Sequence, residues 1–226
     1  MQSPMRTAVA VAAAIGVAAG VAVATSRSGH APARAQNSPL AYQAPRAHDG
    51  HPDLNGTWQV MNTANWDIQD HQARQGPVTA LGAAFSVPAG AGVVEGNEIP
   101  YQPWASEKKK QNAGSWLTLD PEIKCYMPGV PRATYMPYPF QIVQAPNTIL
   151  MAYEFAGASR IVRMTKTEDA PIDSWMGWSR GRWDGETLVV DVTGFNDRTW
   201  FDRAGNFHSD ALHVVERYTR TSPDHL

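Results

Sequence analysis

The sequence predicts a mainly β protein: an antiparallel meander forming a barrel or sandwich, with one or two short helices. Three observations carry this. From Phe140 onward, short aromatic and aliphatic runs alternate with turn signals. Asp184-Gly185 lies between two such runs, and a type I′ hairpin turn needs positive φ at both central residues, which Asp-Gly tolerates. The stretch 121–139 is rich in proline, which fixes φ and lacks a donor, so it is expected to be extended and irregular.

Residues 1–35 read as a signal peptide. Met1–Arg6 carries one positive charge, Thr7–Ala24 is an uncharged Ala/Val/Gly run, and Ala22-Val23-Ala24 or Ala33-Arg34-Ala35 supplies a small-residue cleavage site. The run also reaches the roughly 17–25 residues that span a bilayer, so an uncleaved leader is the expected route to membrane contact. Residues 36–52 read as a flexible tail and 53–226 as a single β-rich domain. The leader holds Arg6, Arg27 and Arg34 and no acid. Its loss leaves three fewer than the 19 basic residues against all 21 acidic ones, a net charge of −5. An acidic chain argues against a nucleic-acid partner, which needs a basic patch.

Within the domain, Gly56–Met61 is the first strand candidate. Residues 63–92 have weak periodicity and room for a short helix before Gly76-Pro77. Trp104–Ala113 is a helix, with Pro103 suited to its first turn and Gly114 able to end it. Phe140–Gln144, Thr148–Phe155, Ser159–Met164, Trp175–Trp183, Glu186–Thr193 and Leu212–Thr219 then follow as strands. Ser222-Pro223-Asp224 reads as a turn and His225-Leu226 as the start of another strand, so a partner strand is expected beyond residue 226.

A two-residue loop at Asp184-Gly185 fixes a register. Trp183 faces Glu186, Gly181 faces Leu188, Ser179 faces Val190 and Gly177 faces Val192. That face, aliphatic on one strand and small on the other, is the expected core face. On the other face Arg182 meets Thr187, Arg180 meets Val189 and Trp178 meets Asp191, with Arg180 and Asp191 diagonal neighbours. It is either a solvated surface with a weak ion pair or a pocket lining where two arginine forks grip an anion. In the last strand Leu212, Val214, Glu216 and Tyr218 share a face. An inward Glu216 must be paired with an arginine or tuned as an acid or base.

The loop Gly194–Asp210 carries Asn196, Asp197, Arg198, Asp202, Arg203, Asn206, His208 and Asp210. It is a turn-rich connection whose Asp and Asn side chains bond their own backbone, a catalytic or binding site with His208 as acid/base oriented by Asp210, or a calcium site. The spacing does not match an EF-hand, and His208 and His213 fall on opposite sides of a continuous strand, so no metal is expected. No cofactor motif, phosphate-cradling loop, HExxH or Cys/His zinc spacing is present. Cys125 is the single cysteine, an odd count for an exported chain.

The runs Met136–Gln144, Trp175–Asp197 and His208–Tyr218 resemble those of a large family of uncharacterised exported bacterial proteins. The likeness covers most of residues 52–226. It implies a secreted or periplasmic β-rich protein and no established activity. It also implies further strands and a second cysteine beyond residue 226, which would supply the missing strand partner and a partner for Cys125. Separately, Gly56-Thr57-Trp58 is similar to the opening of lipocalin-type barrels.

The first expectation is a periplasmic or secreted protein that binds a small anionic or aromatic molecule through Arg180, Arg182, Asp191, Trp178, Asp197 and Arg203. The alternative is a general acid–base enzyme (a hydrolase, lyase or isomerase) using His208, Asp210 and Glu216. The third is an interaction module of the cell envelope. The sequence leaves the oligomeric state open.

Overall fold

The computed structural model describes residues 42–165 and 168–226; the expected signal peptide and residues 36–41 of the expected tail lie outside them. A seven-stranded mixed sheet curls into a half-barrel, its strands in sequence order. They are β1 (Gly56–Trp58), β2 (Phe140–Ala145), β3 (Thr148–Tyr153), β4 (Ser159–Arg163), β5 (Trp178–Asp184), β6 (Thr187–Thr193) and β7 (Val214–Thr219). The α-helices among the described residues are α1 (Pro103–Gly114), α2 (Trp116–Leu119) and α3 (Arg132–Tyr135).

Period-two alternation fills the concave face. Ile142, Ile149, Met151, Val162, Leu188, Val190 and Val192 are each at most 1% exposed. Each such side chain contributes about 1.5–3 kcal/mol on burial, so this face supplies the main drive for folding. The small residues of β5 leave room for neighbours, as the sequence required. A Cβ on Gly181 would strike Met164 and Val162, and one on Gly177, at φ +66°, would strike Phe195 and Val192.

The β5–β6 register differs from the expected one by two residues. Asp184 pairs with Thr187 and Trp183 with Leu188, so Gly185-Glu186 is the loop. Only Gly185 of those two has positive φ, at 59°, which fits a turn needing glycine at its first central position. A shift of two preserves which residues share a face. Arg180 therefore stays on the outer face and lies directly opposite Asp191 rather than diagonal to it.

The meander is interrupted once. The other neighbouring strands pair antiparallel, but β4 and β5 run parallel through only Val162↔Ser179 and Arg163↔Arg180. The long connection after β4 carries the chain back along the sheet, which a tight hairpin cannot do. β1 ends at Trp58, and Met61 is 89% exposed. Among the described residues no α-helix precedes Gly76; residues 71–90 form a small ribbon through the bridges His71↔Gly90 and Arg74↔Val87. The proline-rich stretch includes one 3₁₀ turn, Pro121–Lys124, and α3.

Residues 42–54, read mostly as tail, cross the sheet as a strap. Leu54 is fully buried, Arg46 pairs with Glu186 at 2.9 Å, His51 stacks on Trp183, and Arg220 donates to the Asp53 carbonyl at 2.8 Å.

Candidate functional site

The side chains named from the sequence fall in three separate places. The first is the outer face of β5–β7. Arg180 donates to Asp191 Oδ1 at 2.9 Å, and His213 Nε2 lies 2.8 Å from Asp191 Oδ2. Partial burial pushes the Asp191 carboxyl up, but hydrogen bonds from His213 and Arg180 outweigh it and hold it below its ordinary value. Arg180 also reaches Asp169 at 3.4 Å, and Arg217 pairs with Asp184 at 2.9 Å. Arg182 is exposed and has no carboxylate within ion-pairing distance among the described residues. Beside them the Arg163 guanidinium lies 3.5 Å from the centre of the Trp178 ring, whose N–H donates to the Glu168 carbonyl.

Arg180, Arg182 and Asp191 of this group line a cleft of ≈ 450 Å³ where β4 ends beside β5. Arg180, Arg182 and Asp191 give it polar walls, and Met164, Val189 and Val215 give it an apolar floor. Val189 is 2% exposed although it sits on the outer face. Its neighbours across the strands are Arg182 and Arg217, whose aliphatic stems can cover it.

The second place is the concave face. Glu216 points inward and accepts from Arg160 at 2.6 Å and from the Tyr218 hydroxyl at 2.7 Å. Arg160 also donates to the Tyr218 hydroxyl and the Met151 sulfur, each at 3.1 Å. Burial pulls the Arg160 pKa down; its surroundings of Tyr153, Glu216 and Tyr218, with the hydrogen bond to the Glu216 carboxylate, more than offset it and hold it above its ordinary value. The sequence carries a signal for this pair: Arg160 shares the parity of buried Val162 in a short apolar strand.

The third place is the polar loop. His208 Nδ1 lies 2.8 Å from the Ser209 carbonyl, which can only accept, so the neutral ring carries its proton there. Nε2 is then free to accept from Thr199 Oγ1 at 2.6 Å. Burial holds the His208 pKa below its ordinary value. Asp210 is exposed and gives His208 no hydrogen bond, and Asp197 is also exposed. No hydrogen bond or ion pair joins His208, Asp210 and Glu216 to one another among the described residues.

Arg203 belongs to a buried network that pins this loop to the proline-rich segment. It grips Glu122 with two bonds, at 2.9 and 2.6 Å, over the Trp66 ring. Arg132, 1% exposed, forks onto Asp120 and reaches Glu122 and Asn65. Burial pushes Glu122 up, but Arg203 and Arg132 hold its carboxyl below the usual range. Nearby Asp202, fully buried, accepts from the backbone of Ile68 and from two nitrogens of Asn206. Burial outweighs those donors and raises its carboxyl to about 6. Irregular backbone builds this network, so periodicity gives no hint of it.

Among the described residues no group of three or more His, Cys, Asp or Glu side chains is placed to hold a metal, and no helix is long and apolar enough to cross a membrane. Cys125 is exposed and unpaired. No protein-family model matches this chain, no curated protein is detectably similar to it, and no solved structure matches its fold.

Proposed function

We propose that this is an exported binding protein that takes a small anionic molecule in the outer cleft between β4 and β5. The observation that carries the proposal is Arg182: an exposed guanidinium with no carboxylate partner among the described residues, on the wall of a ≈ 450 Å³ cleft with an apolar floor. Convergent polar groups over an apolar lining are the usual form of a small-molecule site. Asp191 orients Arg180 beside it. The basic, apolar and small-residue pattern of residues 1–35 supports export.

The test is ligand-observed NMR with acetate, benzoate and phosphate against the purified protein. Saturation transfer to at least one anion, reduced in Arg182→Ala, supports the proposal. Equal transfer in both proteins refutes it.

The hydroxyl–imidazole contact of Thr199 and His208 supports a second reading, an acid–base enzyme with His208 as the base. Loss of a turnover activity in His208→Gln with the fold intact is its expected signature. Unchanged turnover removes His208 from the mechanism.

A further inference from the structure

We propose that the anion is the head of a single-chain amphipathic carboxylate, with its apolar tail lying along the outer β4–β5 seam. This deepens the anion-binding reading and rests on it. A second cleft, of ≈ 460 Å³, is lined by Met127, Ile161, Trp175, Met176 and Trp178 together with Arg160 and Arg163. Parallel pairing orders the two. Arg163 lies opposite Arg180; Ile161 and Trp178, which precede that pair, line the second cleft, and Thr165 and Arg182, which follow it, line the first. The tryptophan-lined cleft is at the start of the seam and the arginine cleft at its end. From Trp178 to Arg182 the strand advances about 13 Å, the scale of a medium-length acyl chain rather than of a compact anion.

The apolar surface continues beyond the cleft. Ile161 is 45% exposed and pairs in register with Leu150, at 36%, which pairs with Val143, at 44%. Isolated exposed apolar residues are ordinary, but an in-register row that leads into a cleft marks a binding surface. Met127, 44% exposed, and the edge-to-face pair Tyr126–Trp175 flank it. Methionine and tryptophan suit a flexible apolar guest.

Charge selects the occupant. Arg163 and Arg182 have no carboxylate within ion-pairing distance among the described residues, whereas Arg180 and Arg217 are already matched by acids. The arginine cleft thus has one guanidinium, Arg182, with no carboxylate within ion-pairing distance among the described residues, and the tryptophan-lined cleft carries Arg163, stacked on Trp178, beside its apolar row. A cationic amphiphile is repelled, and a neutral one leaves the guanidiniums unanswered. A carboxylate head meets the arginine fork in its favoured bidentate geometry.

Octanoate, acetate and octan-1-ol, titrated into the full chain with tryptophan fluorescence and ligand-observed NMR as readouts, test this. Octanoate is expected to bind roughly a hundredfold more tightly than acetate, because roughly 100 Å² of methylene surface leaves water. Arg182→Ala is expected to weaken both anions by about tenfold, the effect of one charge-assisted hydrogen bond. Ile161→Asp is expected to bring octanoate down towards acetate. Both side chains are exposed, and unchanged urea midpoints of the two variants check that the fold, including Val189 beneath the Arg182 stem, is kept. Octanoate no tighter than acetate, with acetate still sensitive to Arg182→Ala, overturns the tail while the anion reading stands. Failure of both anions to bind removes both readings. Octanol binding as tightly as octanoate, or sedimentation with phosphatidylglycerol vesicles without octanoate binding, also overturns the proposal.

Discussion

Replacing Glu216 with Ala is expected to be among the most destabilising single changes in this domain. The Arg160 and Glu216 side chains are 2% and 10% exposed, with an N–O distance of 2.6 Å. Without the carboxylate, the guanidinium keeps the Tyr218 hydroxyl and Met151 sulfur but loses its counter-charge, and its Nε already has no partner. Breaking a buried pair by removing one partner costs about 3–5 kcal/mol. For a domain of this size each kcal/mol shifts the midpoint by about 2–4 °C, so a fall on the order of 10 °C is expected. Arg160→Met is milder, because the carboxylate it leaves behind keeps the Tyr218 hydroxyl as a donor and is the more exposed partner of the pair. The double variant Arg160→Met/Glu216→Leu is expected to recover most of the loss, since apolar replacement of both partners is often neutral or better. Urea unfolding of the four proteins, compared at constant m-value, measures the cycle. A Glu216→Ala cost below about 1 kcal/mol refutes the reasoning, and so does a double variant no more stable than Glu216→Ala.

Other expectations follow from the same geometry. The Asp202 carboxyl, raised to about 6, is expected to titrate near that pH in carboxyl-detected NMR; a midpoint below 4 refutes the burial argument. Because its folded value lies above its unfolded one, the stability it contributes is complete at low pH and is lost as pH rises from about 4 to about 6. This amounts to about 3 kcal/mol and is measured as the difference between wild type and Asp202→Asn across that window. Gly177→Ala puts a Cβ against Phe195 and Val192 at φ +66°. It is expected to cost about 2–4 kcal/mol in urea melts from overpacking and backbone strain together; no loss means the backbone yields there. Arg132→Met leaves buried Asp120 without its fork and is expected to cost about 3–5 kcal/mol, with residues 120–135 losing amide protection first.

Alternation made the half-barrel readable. Val162, Leu188, Val190 and Val192 mark the inner face by parity alone, and parity survives the two-residue error in the β5–β6 register. The outer-face group of Arg180, Arg182, Asp191 and Trp178 was legible for the same reason. The parallel turn between β4 and β5 was not, because strand direction depends on a long irregular connection that carries no periodic signal. Arg203 was read as a ligand contact, yet it grips Glu122 across a separation of 81 residues. Such pairings arise where loops converge, and neither partner's neighbours in sequence reveal the other. His208 found a hydroxyl at Thr199 rather than a carboxylate at Asp210, because the chain turns between His208 and Asp210 instead of extending.

The two-residue seam between β4 and β5 has a mechanical consequence. Every other strand pairing holds three to seven register pairs, so the sheet consists of two locally wound halves, β1–β4 and β5–β7, riveted at Val162–Arg163 and Ser179–Arg180. Each half closes through contacts nearby in sequence and can form early, whereas the rivet waits for both. The sheet therefore parts at the seam before it parts within either half, and hydrogen exchange at those four amides should report a cooperative opening below the global unfolding free energy. A guest lying along the seam would clamp the halves together, and the two would then unfold as one unit.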